Sequence, residues 1–118
     1  MSIREFSKEL EKRTRDFAIR IMKLSISLPN TPEGRVVKTQ LTKAGTSIGA
    51  NYREANRSRS RADFKNKIEI CESEASETEY WLELILDMKW QKPELVRPEM
   101  EEGRELLAIF TAIGNKCR

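Results

Sequence analysis

Three segments of this chain place core-type residues at alternating steps of four and three. Leu10, Thr14, Phe17, Ile21, Leu24 and Leu28 form the first row. Val37, Leu41, Ala44, Ile48, Asn51 and Ala55 form the second. Phe64, Ile68, Cys71, Ala75, Thr78, Leu82 and Ile85 form the third. Such steps average about 3.5 residues, the seam of helices wound into a left-handed bundle. A half-buried strand needs strict alternation instead, and no segment shows it. The chain is therefore confined to the all-α class.

Punctuation residues divide it into four helices. The first is expected over residues 3–28 and stops at Leu28-Pro29, because a residue before proline is pushed out of the helical region. The second is expected over 32–57, with Thr31 as N-cap, Pro32 at the first position and Glu33 complementing the dipole. The third runs from Arg61 to Trp90, capped by Ser60 with Asp63 at the third position. The fourth is expected over 98–116, after a turn at Pro93 to Arg97, since a start at Pro93 would put Pro98 inside the helix. Joined by short loops, these make one domain over residues 1–118, an antiparallel up-down-up-down four-helix bundle.

Two features ask for more than a monomer's core. Gly45 and Gly49 lie inside the second helix, where each costs about 1 kcal/mol relative to alanine. Close approach of a neighbouring helix is the expected compensation. Tyr80 to Trp90, YWLELILDMKW, is apolar over more of the helix than one core face requires. Trp81, Leu84 and Met88 are thus candidates for contact between subunits. Asn51 lies on the second seam, where a buried amide fixes register or oligomeric state. Its expected partner is a neighbouring helix; contact with a ligand is the other reading.

Composition excludes most chemistry. The 118 residues contain no histidine. That removes the usual general base, the Ser/His and Cys/His nucleophile pairs and the Glu-x-x-His di-metal site of helical bundles. Cys71 and Cys117 have no CxxC spacing and read as reduced core residues. Glu69, Glu72, Glu74, Glu77, Glu79 and Glu83 spread around one helix, so they line no cleft suited to paired-carboxylate catalysis. They read as a solvated or salt-bridging face, with Glu74 and Glu77 able to meet basic residues of the first two helices. No catalytic residue, metal site or cofactor is expected. No apolar run reaches membrane-spanning length and the N-terminus is charged throughout, so a cytoplasmic protein is expected.

The net charge of +3 hides an asymmetry. Residues 1–67 carry 16 Lys and Arg against 7 Asp and Glu; residues 68–118 carry 6 against 12. This fits contact with a polyanion, and it fits equally basic helices packed beside acidic ones. The densest positive stretch joins helices two and three: Arg53, Arg57, Arg59 and Arg61, followed by Lys65 and Lys67. Guanidinium groups grip phosphate bidentately, and Arg61 adjoins a helix N-terminus that favours anions. Only Tyr52 interleaves, so base stacking is not indicated there. Arg53, Arg57, Arg59, Arg61 and Lys65 are the candidate nucleic-acid contacts. A solvated loop and a site for an acidic partner protein are the competing readings.

The run QLTKAGTSIGANYREANRSRSRADF, followed by IEICESEASETEYWLELIL, resembles the four helix bundle protein family, also called the 23S rRNA intervening-sequence protein family. The likeness extends from the first helix with its closing Leu28-Pro29 to the ELLAIFTAI run near the end. Its most specific parts are Ser47-Ile48-x-Ala50-Asn51 and the Arg-Ser-x-x-Asp-Phe unit. The resemblance implies an antiparallel bundle assembled into a ring-shaped homo-oligomer, a pentamer, with no established enzymatic activity. It also implies bacterial origin, within rRNA-gene insertions or on the chromosome. Similar accessory proteins of diversity-generating retroelements bind nucleic acid and a reverse transcriptase, so RNA, DNA or a partner protein is the implied partner. Where that family's pattern has Glu-Gly, this chain has Glu54-Ala55, which is compatible with a longer second helix.

Overall fold

In the computed structural model, which describes residues 1–117, four helices follow one another: α1 (Ile3–Ile26), α2 (Pro32–Ala55), α3 (Arg61–Asp87) and α4 (Pro93–Asn115). Three start at a side-chain cap. The hydroxyls of Ser2, Thr31 and Ser60 accept from the backbone N–H of Glu5, Gly34 and Asp63 at 3.0–3.1 Å. Each cap satisfies one of the four donors that a helix start leaves free.

The seams dictate the packing. Every member of the first row is buried, and the buried residues of all four helices form one core. α1 and α2 run antiparallel. Asn56 Nδ2 donates to Glu11 at 2.9 Å near one end, and Ser25 Oγ donates to the Lys38 carbonyl at 3.0 Å toward the other. α3 and α4 are likewise antiparallel, with Glu72 against Thr111 and Glu79 against Arg104. α1 and α4 meet over a much narrower strip than the other neighbours. Ion pairs bridge it: Arg13 grips Glu102 bidentately at 2.6 and 2.7 Å, and Arg20 reaches Glu99 at 3.0 Å. Glu102 also drives the Arg13 pKa further up.

The glycines of α2 behave as expected. A Cβ on Gly45 would lie 2.6 Å from Ile21 Cγ2, and one on Gly49 would lie 3.0 Å from Thr14 Oγ1. Their absence lets α1 and α2 approach closely.

Three expectations need correction. α4 starts at Pro93 and keeps Pro98 inside it. Helical geometry from Pro93 buries Val96 completely, while Pro98 is exposed and removes one bond on the solvent side. Burial outweighs the breaker. α3 ends at Asp87 rather than Trp90: Lys89 turns left-handed at φ 57°. Trp90 N–H then bonds the Ile85 carbonyl and Lys89 N–H the Leu86 carbonyl, a Schellman closure. On α2, Tyr52 takes the core position that the strict repeat gave to Asn51. A 3.6-residue helix drifts about 20° per heptad from a 3.5 repeat. Tyr52 is 2% exposed and its ring meets Phe110 at 5.5 Å.

Candidate nucleic-acid interface

The α2–α3 turn, residues 56–60, is held from both sides. Asn56, Arg57 and Ser58 close the end of α2 through backbone bonds to Tyr52, Glu54 and Ala55, and Ser60 opens α3. This fixes the backbone while the side chains project outward. Arg53, Arg57, Arg59 and Arg61 are all exposed. None is within ion-pair distance of an acidic group among the described residues. Lys65 differs: it is half-buried and lies 3.9 Å from Glu69, one turn on.

Arg53 joins the turn to a groove of about 400 Å³ between α1 and α2. Gly49 and Ala50 form part of its floor because their small side chains leave it open. Lys12, Arg15 and Arg53 supply three cations on its walls. Glu11 is its one acid, and Asn56 holds that carboxylate. Lys12 hydrogen-bonds Asp16 at 2.7 Å, which holds the Asp16 carboxyl below its usual pKa; Arg15 has no such partner among the described residues. The sequence reading missed Lys12 and Arg15. Both fall on the face of α1 opposite the seam, and only the small residues of α2 bring that face beside Arg53.

The residues expected to mediate assembly lie on two elements, Asn51 on α2 and the others at the end of α3. Asn51 is half-buried, and its Nδ2 donates to the Ser47 carbonyl of its own helix at 2.8 Å. No other helix provides its bond among the described residues, so the expected cross-helix pairing is absent within one chain. Leu84 is half-buried and Met88 is 53% exposed, beside an equally exposed Tyr80. Trp81 packs edge-on against Tyr80 at 5.0 Å and touches the core. Its indole Nε1 is buried without a hydrogen-bond partner among the described residues. On the same helix, burial pushes the Glu74 pKa up and Glu77 adds to it, while Lys43 of α2 opposes both.

Among the described residues no three Cys, Asp or Glu converge on a metal-sized site. Cys71 is fully buried, donates to the Ile48 carbonyl, and has its pKa pushed up to about 12 by burial. That disfavours the thiolate a nucleophile needs. No helix of the described residues is long and apolar enough to cross a membrane.

A family model described as 23S rRNA-intervening sequence protein matches residues 8–112. A crystal structure of a protein of unknown function from the S23 ribosomal protein family of Bacteroides thetaiotaomicron is 38% identical. The match covers 88% of this chain and 96% of that one, with a TM-score of 0.82. No curated protein matches the chain.

Proposed function

The chain belongs to the 23S rRNA-intervening sequence protein family, and from that membership we propose that it is a non-enzymatic, homo-oligomeric nucleic-acid-binding protein of the cytoplasm. Its ligand is structured RNA, held by phosphate contacts at the α2–α3 turn. The observation that carries this reading is the set of four exposed arginines without acidic partners, continuous with the cationic α1–α2 groove. Elsewhere, Arg13 and Arg20 are paired with acids of α4. At the turn the charge is left free for an outside partner. Guanidinium forks suit phosphate, and the exposed set offers no aromatic surface for reading bases.

Assembly into a ring of five is part of the proposal. Tyr80, Leu84 and Met88 leave apolar surface uncovered on α3, and the buried Trp81 N–H lacks an acceptor among the described residues. A neighbouring subunit supplies the cover. Two free cysteines suit a reducing compartment.

The test is affinity for structured RNA across a salt series. Binding should be steep in salt and tolerant of sequence, with each phosphate contact contributing roughly one unit of slope. Replacing Arg57, Arg59 and Arg61 with Ala should weaken all ligands alike and flatten the slope. Unchanged affinity and slope would remove the turn as the interface. Absence of binding by the parent at low salt would favour the alternative, a scaffold for a partner protein.

A further inference from the structure

The turn at the opposite end of the bundle, between α3 and α4, carries a second cationic surface of different chemistry. It borders a cleft of about 650 Å³ whose walls include Trp90, Lys89, Lys92, Arg97 and Leu86. Three cations line it and no acid does. None of the three is within ion-pair distance of an acid among the described residues. Arg97 also borders a shallow depression with Glu94 and Glu101, yet pairs with neither.

The local fold builds this cleft. The Schellman closure places Lys89 in a left-handed conformation and ends α3 two residues before it. Trp90 follows at once. It is half-buried, packed against the core and still part of the cleft wall, so its indole is a fixed platform rather than a swinging side chain. Gln91 reaches back to Ser27 Oγ at 2.6 Å and anchors the turn to the end of α1. Lys92 is the N-cap of α4 but offers no side-chain acceptor, so the positive end of that helix also faces this region uncapped.

A rigid indole beside three unpaired cations matches one ligand class: a nucleotide unit, with its base on the ring and its phosphate among the cations. We infer that the Trp90 cleft binds an unpaired nucleotide by stacking and charge together. This is chemistry that the α2–α3 turn, which has no exposed aromatic ring, does not offer. The site is independent of that turn and does not need the turn to bind anything. A free nucleotide and a base in a single strand share this chemistry.

The test follows fluorescence anisotropy of a labelled single-stranded oligodeoxyadenylate on the full chain, with the same strand made abasic, a matched duplex, ATP and a polyglutamate peptide as competitors, and indole emission wherever Trp90 is present. The single strand should quench the emission. Trp90→Leu should weaken strand binding about 5- to 150-fold, the range that loss of one stacked base produces. Trp90→Phe should retain most of it, and the duplex and abasic strand should not respond to either change. Lys89→Gln with Lys92→Gln, both on exposed side chains, should lower the salt slope while circular dichroism stays unchanged. ATP binding with the same Trp90 dependence identifies a free nucleotide; binding of the strand alone identifies nucleic acid. The Arg57, Arg59, Arg61 triple variant should keep the quenching, so failure of the turn and failure of this cleft are separable. The inference is overturned if Trp90→Leu and Trp90→Phe both bind the strand like the parent. It is equally overturned if, in that triple variant, the abasic strand or polyglutamate binds as tightly as the oligodeoxyadenylate, or if no strand binds at low salt.

Discussion

At the scale of single residues, the glycines separate two effects that sequence alone cannot. Gly45 and Gly103 are both buried inside helices, where alanine is the better helix former by about 1 kcal/mol. A Cβ on Gly45 would strike Ile21 at 2.6 Å, whereas one on Gly103 would meet only Phe17 Cζ at 3.7 Å, an ordinary contact. Gly45→Ala should therefore destabilise by about 1–3 kcal/mol, the usual cost of overpacking. Gly103→Ala should stabilise by up to about 1 kcal/mol. Urea midpoints that moved the same way for both would refute this assignment of contacts. The thiols give a second contrast. Cys117 is partly accessible and Cys71 is not, so a thiol reagent should label one cysteine quickly and the other only on unfolding. Cys71 is an acid whose pKa is raised in the folded state, from 9.0 to about 12. Its contribution is complete below about pH 9 and is lost above it, because the unfolded chain then releases the proton first. Between pH 9 and 10 the parent should lose about 1 kcal/mol more than Cys71→Ala does.

At the scale of elements, the four-three seams and the caps Thr31 and Ser60 were legible because they depend on neighbours along the chain. What the sequence concealed depended on contacts far along it. Tyr52 displaced Asn51 because packing follows a true 3.6-residue helix. The end of α3 was invisible because a lysine, not a glycine, occupies the left-handed position. The start of α4 was obscured because burying Val96 outweighs a proline two residues later. Both exceptions leave unused stability. Lys89→Gly should relieve a left-handed cost of roughly 1–2 kcal/mol, less the entropy of glycine, for a gain of about 0.5–1 kcal/mol. Pro98→Ala restores an N–H that can reach the Glu94 carbonyl, and should raise stability by about 1–3 kcal/mol. A fall in thermal midpoint for Pro98→Ala would mean that the proline is needed where it stands, contrary to its exposure.

At the scale of the whole molecule, the charge asymmetry contains two contrasting contributions. One part is internal, basic α1 against acidic α4. The other is the outward charge of the α2–α3 turn and the α1–α2 groove. The sequence could not separate them, because pairing of Arg13 with Glu102 spans most of the chain. A single turn of four arginines is a weak site at physiological salt, since its contacts are individually screened. A ring repeats the turn in every subunit and makes later contacts intramolecular. Assembly and nucleic-acid affinity should then be linked through α3, remote from the turn itself. The parent should scatter light as about five times 13.7 kDa. Tyr80→Glu with Met88→Glu, both on exposed side chains, should lower that mass without unfolding the bundle. The same variant should bind a long structured RNA about 100-fold or more weakly than the parent, the scale of lost avidity. It should bind a ligand too short to bridge two turns almost as well as the parent does. Equal losses on long and short ligands would place the α3 residues in direct contact with nucleic acid. A parent that is monomeric throughout would leave the turn to act alone.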